Sequence, residues 1–218
     1  MSAAAPSPAD FSRVARVYDQ LASLVFGRAQ RQAQMAALRA GLPLAGAAPQ
    51  VLVLGGGAGW MLTELLWQRP AAHVLYLETS AAMLDQARAR LARHAPALAA
   101  QVEFRQGSER DLRPDERFDA IITFFVLDCF TLADFPGAMA RLQAARRPGA
   151  PWLVADFLPP RTWWQRGLLR AMYLFFGVAV GLRARQLPPW PAALAATCEA
   201  ITYQSNFYSG FISSQVWH

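Results

Sequence analysis

Val51-Leu52-Val53-Leu54 runs directly into Gly55-Gly56-Gly57-Ala58-Gly59, and this junction limits what the chain can fold into more than any other feature. Four consecutive apolar residues suit a strand covered on both faces, as in a parallel sheet. Glycines let the backbone turn sharply and approach a ligand with no side chain between. The stretch 58–68 has a helical pattern, so its first N–H groups face the turn and favour an anion there. A strand, a tight glycine turn and a helix form the opening unit of a doubly wound α/β domain.

The same alternation recurs downstream. Strands are predicted at 74–77, 102–106, 118–125 and 152–157. Helices are predicted at 80–93, with Thr79 or Ser80 as N-cap, and at 134–146. Strands and helices in this rhythm imply a parallel sheet with helices on both faces. The N-terminal stretch 9–40 is helical in pattern, broken near Phe26–Gly27. The C-terminal part differs: 163–182 is long, apolar and aromatic, Pro188, Pro189 and Pro191 punctuate the residues after it, and a short helix reaches Cys198. Stretches 201–207 and 211–217, joined at Ser209–Gly210, read as an antiparallel hairpin.

Composition narrows the function classes. With 54% hydrophobic and 17% charged residues the chain can bury a core. Its formal charge is +6 and all 21 basic residues are arginine. They are scattered, with Arg146–Arg147 the single adjacent pair, whereas nucleic-acid binding wants a clustered basic face. No nucleic-acid partner is expected. Cys129 and Cys198 are far apart, and His73, His94 and His218 are dispersed, so neither a metal centre nor a disulfide framework is indicated. Residues 1–10 lack the basic-then-apolar pattern of a secretory signal, which points to a cytoplasmic, reduced protein.

Glu78 closes the second predicted strand, where an acidic residue of a doubly wound fold can bind two ribose hydroxyls. The dinucleotide fingerprint G-x-G-x-x-G fails at Trp60, whereas G-x-G-x-G fits as Gly55, Gly57 and Gly59. The latter resembles motif I of class I S-adenosylmethionine-dependent methyltransferases. The likeness continues in Glu78-Thr79-Ser80-Ala81-Ala82-Met83-Leu84, in Phe118-Asp119-Ala120-Ile121-Ile122 and in Arg147-Pro148-Gly149. Arg16-Val17-Tyr18-Asp19 resembles the N-terminal segment of quinone- and small-molecule-type members. The resemblance implies a Rossmann-like, doubly wound, seven-stranded, mostly parallel sheet ending in an antiparallel hairpin. It divides one domain into an N-terminal helical lid (1–45), a cofactor-binding core (50–157) and a substrate-side helix with the hairpin (158–218). It implies S-adenosylmethionine as cofactor, held by Gly55, Gly56, Gly57, Gly59, Glu78, Thr79, Met83, Ser108 and Glu109. Two positions depart from the family pattern. Val53 stands where an acid often precedes the glycines, and Ser108 where an acid often meets the adenine amine.

Methyl transfer from a sulfonium is an in-line displacement, so the protein chiefly positions donor and acceptor. A general base is needed only if the acceptor must lose a proton. Asp128, after the fourth strand, and Tyr18 are the catalytic candidates. Against them stand plainer roles: Asp128 capping a helix or holding a loop, Tyr18 covering the cofactor, Asp156 bonding backbone. Cys129 has no histidine near it in sequence to make it a nucleophile. No Asn-Pro-Pro-aromatic motif follows the fourth strand, which argues against amino methylation of that type. The expected partner is a small-molecule acceptor, apolar or aromatic. Segment 163–182 is read as a buried helix or lid, or else as an acceptor pocket or a helix in peripheral membrane contact. Its uninterrupted apolar part, 171–182, is too short to span a bilayer. Two other readings stay open: a non-catalytic binding or partner protein on this fold, and an aminopropyltransferase of the spermidine synthase type. The latter would want an Asp-rich stretch where Thr123-Phe124-Phe125-Val126 stands.

Overall fold

The computed structural model describes residues 26, 28–42 and 48–218. Tyr18 and most of the lid segment lie outside them. Among the described residues the strands are β1 (Gln50–Leu54), β2 (His73–Glu78), β3 (Val102–Gln106), β4 (Ala120–Phe124), β5 (Trp152–Phe157), β6 (Ile201–Phe207) and β7 (Ile212–Trp217). They form one sheet in the order β3-β2-β1-β4-β5-β7-β6. The first five are parallel, and β7 pairs antiparallel with both β5 and β6. The expected seven-stranded, mostly parallel sheet with its C-terminal hairpin is what the chain forms.

The helices are α1 (Ala29–Gly41), α2 (Trp60–Gln68), α3 (Ala81–His94), α4 (Phe135–Ala145), α5 (Trp163–Val180) and α6 (Trp190–Thr197). They cover the sheet in two layers. On one face α1, α2 and α3 bury Leu38, Leu62, Leu65 and Leu91 against Val51, Val53 and Tyr76. On the other, α4 and α6 bury Leu142 and Trp190 against Leu52, Leu54 and Ile121. Fully burying one such side chain is worth about 1.5–3 kcal/mol, which explains why the central strands read as unbroken apolar runs.

Differences from the sequence-based expectation lie at element ends. The fourth strand is shorter than 118–125: Phe118 makes only an isolated bridge with Arg146, and Phe125 adopts a left-handed φ of 53° that ends the extended backbone. Three 3-10 turns, Pro96–Gln101, Glu109–Asp111 and Leu127–Cys129, add to the expected elements. Of the two N-cap candidates, Ser80 caps α3, accepting the Met83 N–H at 3.3 Å. β7 carries the polar run Ser213-Ser214-Gln215 fully inside. Ser214 is small enough for α1 to approach, and its hydroxyl donates to the Ala33 carbonyl at 2.8 Å.

Candidate active site at the carboxyl ends of the strands

Because β1, β2, β4 and β5 are parallel, their last residues meet along one edge of the sheet, where ligands bind in such folds. At that edge Gly55, Gly57 and Gly59 have φ of 65°, 61° and 78°, a region costly to residues with a Cβ. Gly56 is needed for another reason. A Cβ there would run into the ring of Tyr76. At Gly57 a Cβ would meet nothing within 4 Å, so that face of the loop is open.

Glu78 reaches this loop. Its Oε2 accepts the Gly57 N–H at 3.0 Å, and its Oε1 accepts the Ser80 N–H at 2.9 Å and the Thr79 hydroxyl at 3.3 Å. The carboxylate is buried. It is therefore fixed beside the glycine turn and carries the negative charge that suits a pair of hydroxyl donors. Tyr76 completes the cradle by donating to the Gly57 carbonyl at 2.9 Å. Sequence reasoning missed Tyr76. The available signal was a hydroxyl within an otherwise apolar run, since a buried phenol needs a partner.

The other predicted cofactor residues are less alike. Thr79 is exposed and Met83 half-buried, at the start of α3. Ser108 is committed to its own turn: its hydroxyl oxygen accepts the Arg110 N–H at 3.2 Å, and its N–H donates to Asp111 at 2.8 Å. Glu109 is buried, with Arg110 at 3.5 Å and Arg141 of α4 at 3.9 Å. Its charge is thus spent on fastening this turn to the helix layer.

The other side of the site is built from the ends of β4 and β5. Asp156, fully buried, accepts three backbone N–H bonds: Leu127 at 3.0 Å, Asp128 at 3.3 Å and Phe157 at 2.7 Å. It bonds backbone, the plainer role weighed for it, and so holds the 3-10 turn that carries Asp128. Val126 of that linker lies against Gly55, which joins the two halves of the site. Burial pushes the Asp128 carboxyl up to about 6. Burial, and then the Asp128 charge, raise Asp156 well above the carboxylate range. The Cys129 thiol donates to Asp128 at 3.5 Å. Although its surface reaches solvent, close packing and then Asp128, Asp156 and Glu78 push its pKa up, opposite to what a thiolate nucleophile needs.

α5 closes the far side. Thr162 and Gln165 form a capping box at its start, and the Tyr173 hydroxyl donates to the Asp128 carbonyl at 3.1 Å. Aromatic rings pack on one another near α5: Phe125 and Phe157 at 5.4 Å, Phe26 and Tyr208 at 5.2 Å, Trp164 and Tyr208 at 5.8 Å, with Phe26 and Phe157 buried in the core. A separate hollow, lined by Gln50, His73 and Arg117 among others, lies at the opposite ends of the strands.

A doubly wound sheet in this strand order, with a glycine turn clasped by a strand-end carboxylate, is a Rossmann-like fold. Residues 51–149 match the family described as methyltransferase domain. No curated protein matches it in sequence. Solved structures share the fold. An O-methyltransferase family protein from Burkholderia thailandensis superposes with a TM-score of 0.69 at 17% identity, covering 95% of this chain and 61% of its own. An O-methyltransferase family 2 protein from Planctomyces limnophilus, in complex with apigenin, gives 0.70 at 16%, covering 100% and 63%. Human N-acetylserotonin methyltransferase, in complex with S-adenosylmethionine, gives 0.62 at 17%, covering 97% and 56%. The chain thus spans about three fifths of the length of these structures.

Proposed function

We propose that the chain transfers the methyl group of S-adenosylmethionine to a small, apolar or aromatic acceptor that presents an ionisable hydroxyl. The observation that carries this reading is the 3.0 Å bond between the Gly57 N–H and the Glu78 carboxylate, which sets an acceptor for ribose hydroxyls beside an open backbone turn. In this reading the glycine turn takes the methionine end of the cofactor, and Glu78 with Thr79 takes the ribose. Met83 flanks it, and the Ser108–Glu109 turn borders the adenine through backbone, since both side chains are engaged elsewhere. S-adenosylmethionine supplies the electrophilic methyl group and the leaving group.

The chain's own residues then orient the acceptor and take its proton. The half-buried rings of Phe125, Trp164 and Tyr208, backed by the core residue Phe157, stack a flat apolar acceptor. Asp128, with a pKa near 6, is ionised at neutral pH yet basic enough to receive a hydroxyl proton as the oxygen attacks. Asp156 holds Asp128 in place. A complex of the fold relative from Planctomyces limnophilus with apigenin supports an aromatic acceptor. In this reading Tyr18 covers the cofactor, in a reduced cytoplasmic setting, while α1 stays packed on the sheet rather than serving as part of a lid.

A thermal-shift assay with S-adenosylmethionine and S-adenosylhomocysteine, followed by methyl transfer to a panel of phenols, tests the proposal. Both ligands should raise the melting temperature, since they bind the native state, and phenols should be methylated on oxygen. Stabilisation with no transfer to any acceptor would favour a binding protein instead.

A further inference from the structure

From residue 157 to residue 198 the chain has five arginines and no acidic residue. α5 lies within this stretch. Its inner side is occupied, with Gln165, Leu169 and Tyr173 buried. Its outer side carries Trp163 at 83% exposure, Leu174 at 69% and Val178 at 83%, together with exposed Arg166 and Arg170. These five positions recur every three or four residues, so they form one stripe along the helix. Among the described residues, neither Arg166 nor Arg170 has an ion pair or a side-chain hydrogen bond, whereas Arg88, Arg105, Arg110, Arg141 and Arg147 all pair with carboxylates. Large apolar side chains at such exposure are uncommon in the rest of the molecule and signal an interaction surface.

We infer that this stripe docks the protein onto a lipid surface bearing anionic headgroups, with Trp163, Leu174 and Val178 entering the headgroup boundary and Arg166 and Arg170 meeting phosphates. Charge decides the partner. An acid-free basic segment is complementary to an anionic surface and repelled by a second copy of itself. A tryptophan at one end of a stripe mixed with arginines suits the layer where hydrocarbon meets headgroups. Among the described residues no helix is long and apolar enough to cross a membrane, so the contact is in the plane of the surface. Docking does not depend on which acceptor the crevice takes, and binding to vesicles reads it apart from methyl transfer.

The test is flotation of the full chain with vesicles of phosphatidylcholine alone and of phosphatidylcholine with phosphatidylglycerol. Binding to the anionic vesicles that weakens with salt is expected. Replacing both arginines (R166Q with R170Q) should reduce it roughly 30-fold, at about fivefold per surface charge, while the melting temperature stays put because both side chains are exposed. Trp163→Ser should also weaken binding, and Arg93→Gln on α3 should leave it unchanged. No flotation with either vesicle, equal loss with R93Q, or binding indifferent to all three stripe substitutions would overturn the proposal. So would salt-independent self-association through α5, which would make a second copy the partner.

Discussion

The two sides of the site are built by different means. On the side proposed for the cofactor the contacts come from backbone: left-handed glycines, an open turn, and one carboxylate anchored by Gly57, Thr79 and Ser80. On the side proposed for the acceptor they come from side chains that are buried and held by tertiary contacts: Asp156 under the Leu127–Cys129 turn, Tyr173 from α5, and rings from several separate elements. Backbone geometry at a strand–helix turn is dictated by a few neighbouring residues. The juxtaposition of Asp128, Tyr173, Trp164 and Tyr208 is dictated by the whole fold.

Substitutions can break this contrast. The largest effect is expected at Gly57. Its Cβ would point into open space, so Gly57→Arg should fold, at a conformational cost of about 1–2 kcal/mol, while its side chain fills the crevice and pairs with Glu78. Calorimetric titration should find no S-adenosylhomocysteine binding. Next comes Asp128→Asn, which should lower kcat by about 10²–10⁴-fold on a hydroxyl acceptor and leave cofactor affinity unchanged. In the parent protein the rate should fall as pH drops through 6, because Asp128 gains its proton there; the variant should lose that limb of the profile. Glu78→Gln should weaken cofactor binding by about 10–100-fold, the worth of hydrogen bonds to a charged group, with kcat at saturation nearly kept. Asp156→Ala strands three buried N–H groups, each costing about 1–3 kcal/mol. A fall in melting temperature on the order of ten degrees or more is expected, with activity lost through misplacement of Asp128 rather than through the cofactor.

The same contrast governs how much was legible in the sequence. Periodicity and glycines marked five parallel strands and the hairpin, because a strand buried on both faces must be apolar and a hairpin must turn. Glu78 was readable from its place at a strand end. Tyr76 was not, since nothing in a run of apolar residues says which glycine its ring will meet. Ser108 and Glu109 stand just after the third strand, yet their side chains serve a capping box and a salt bridge to Arg141, 32 positions away in the chain. Asp128 and Asp156 could be seen only as separate residues. Their coupling depends on adjacent strand ends, which only the sheet order supplies. The stripe on α5 was apparent as an apolar stretch, but which side faces water is decided by Tyr173 and Leu169 packing inward.

A crystal structure of the chain soaked with S-adenosylhomocysteine reaches the central claim most directly. It should show the adenosyl group in the crevice, with the Glu78 carboxylate within hydrogen-bond distance of both ribose hydroxyls and the homocysteine end against the turn at Gly55–Gly59. A ligand bound elsewhere, or a crevice left empty at saturating concentration, would contradict the account.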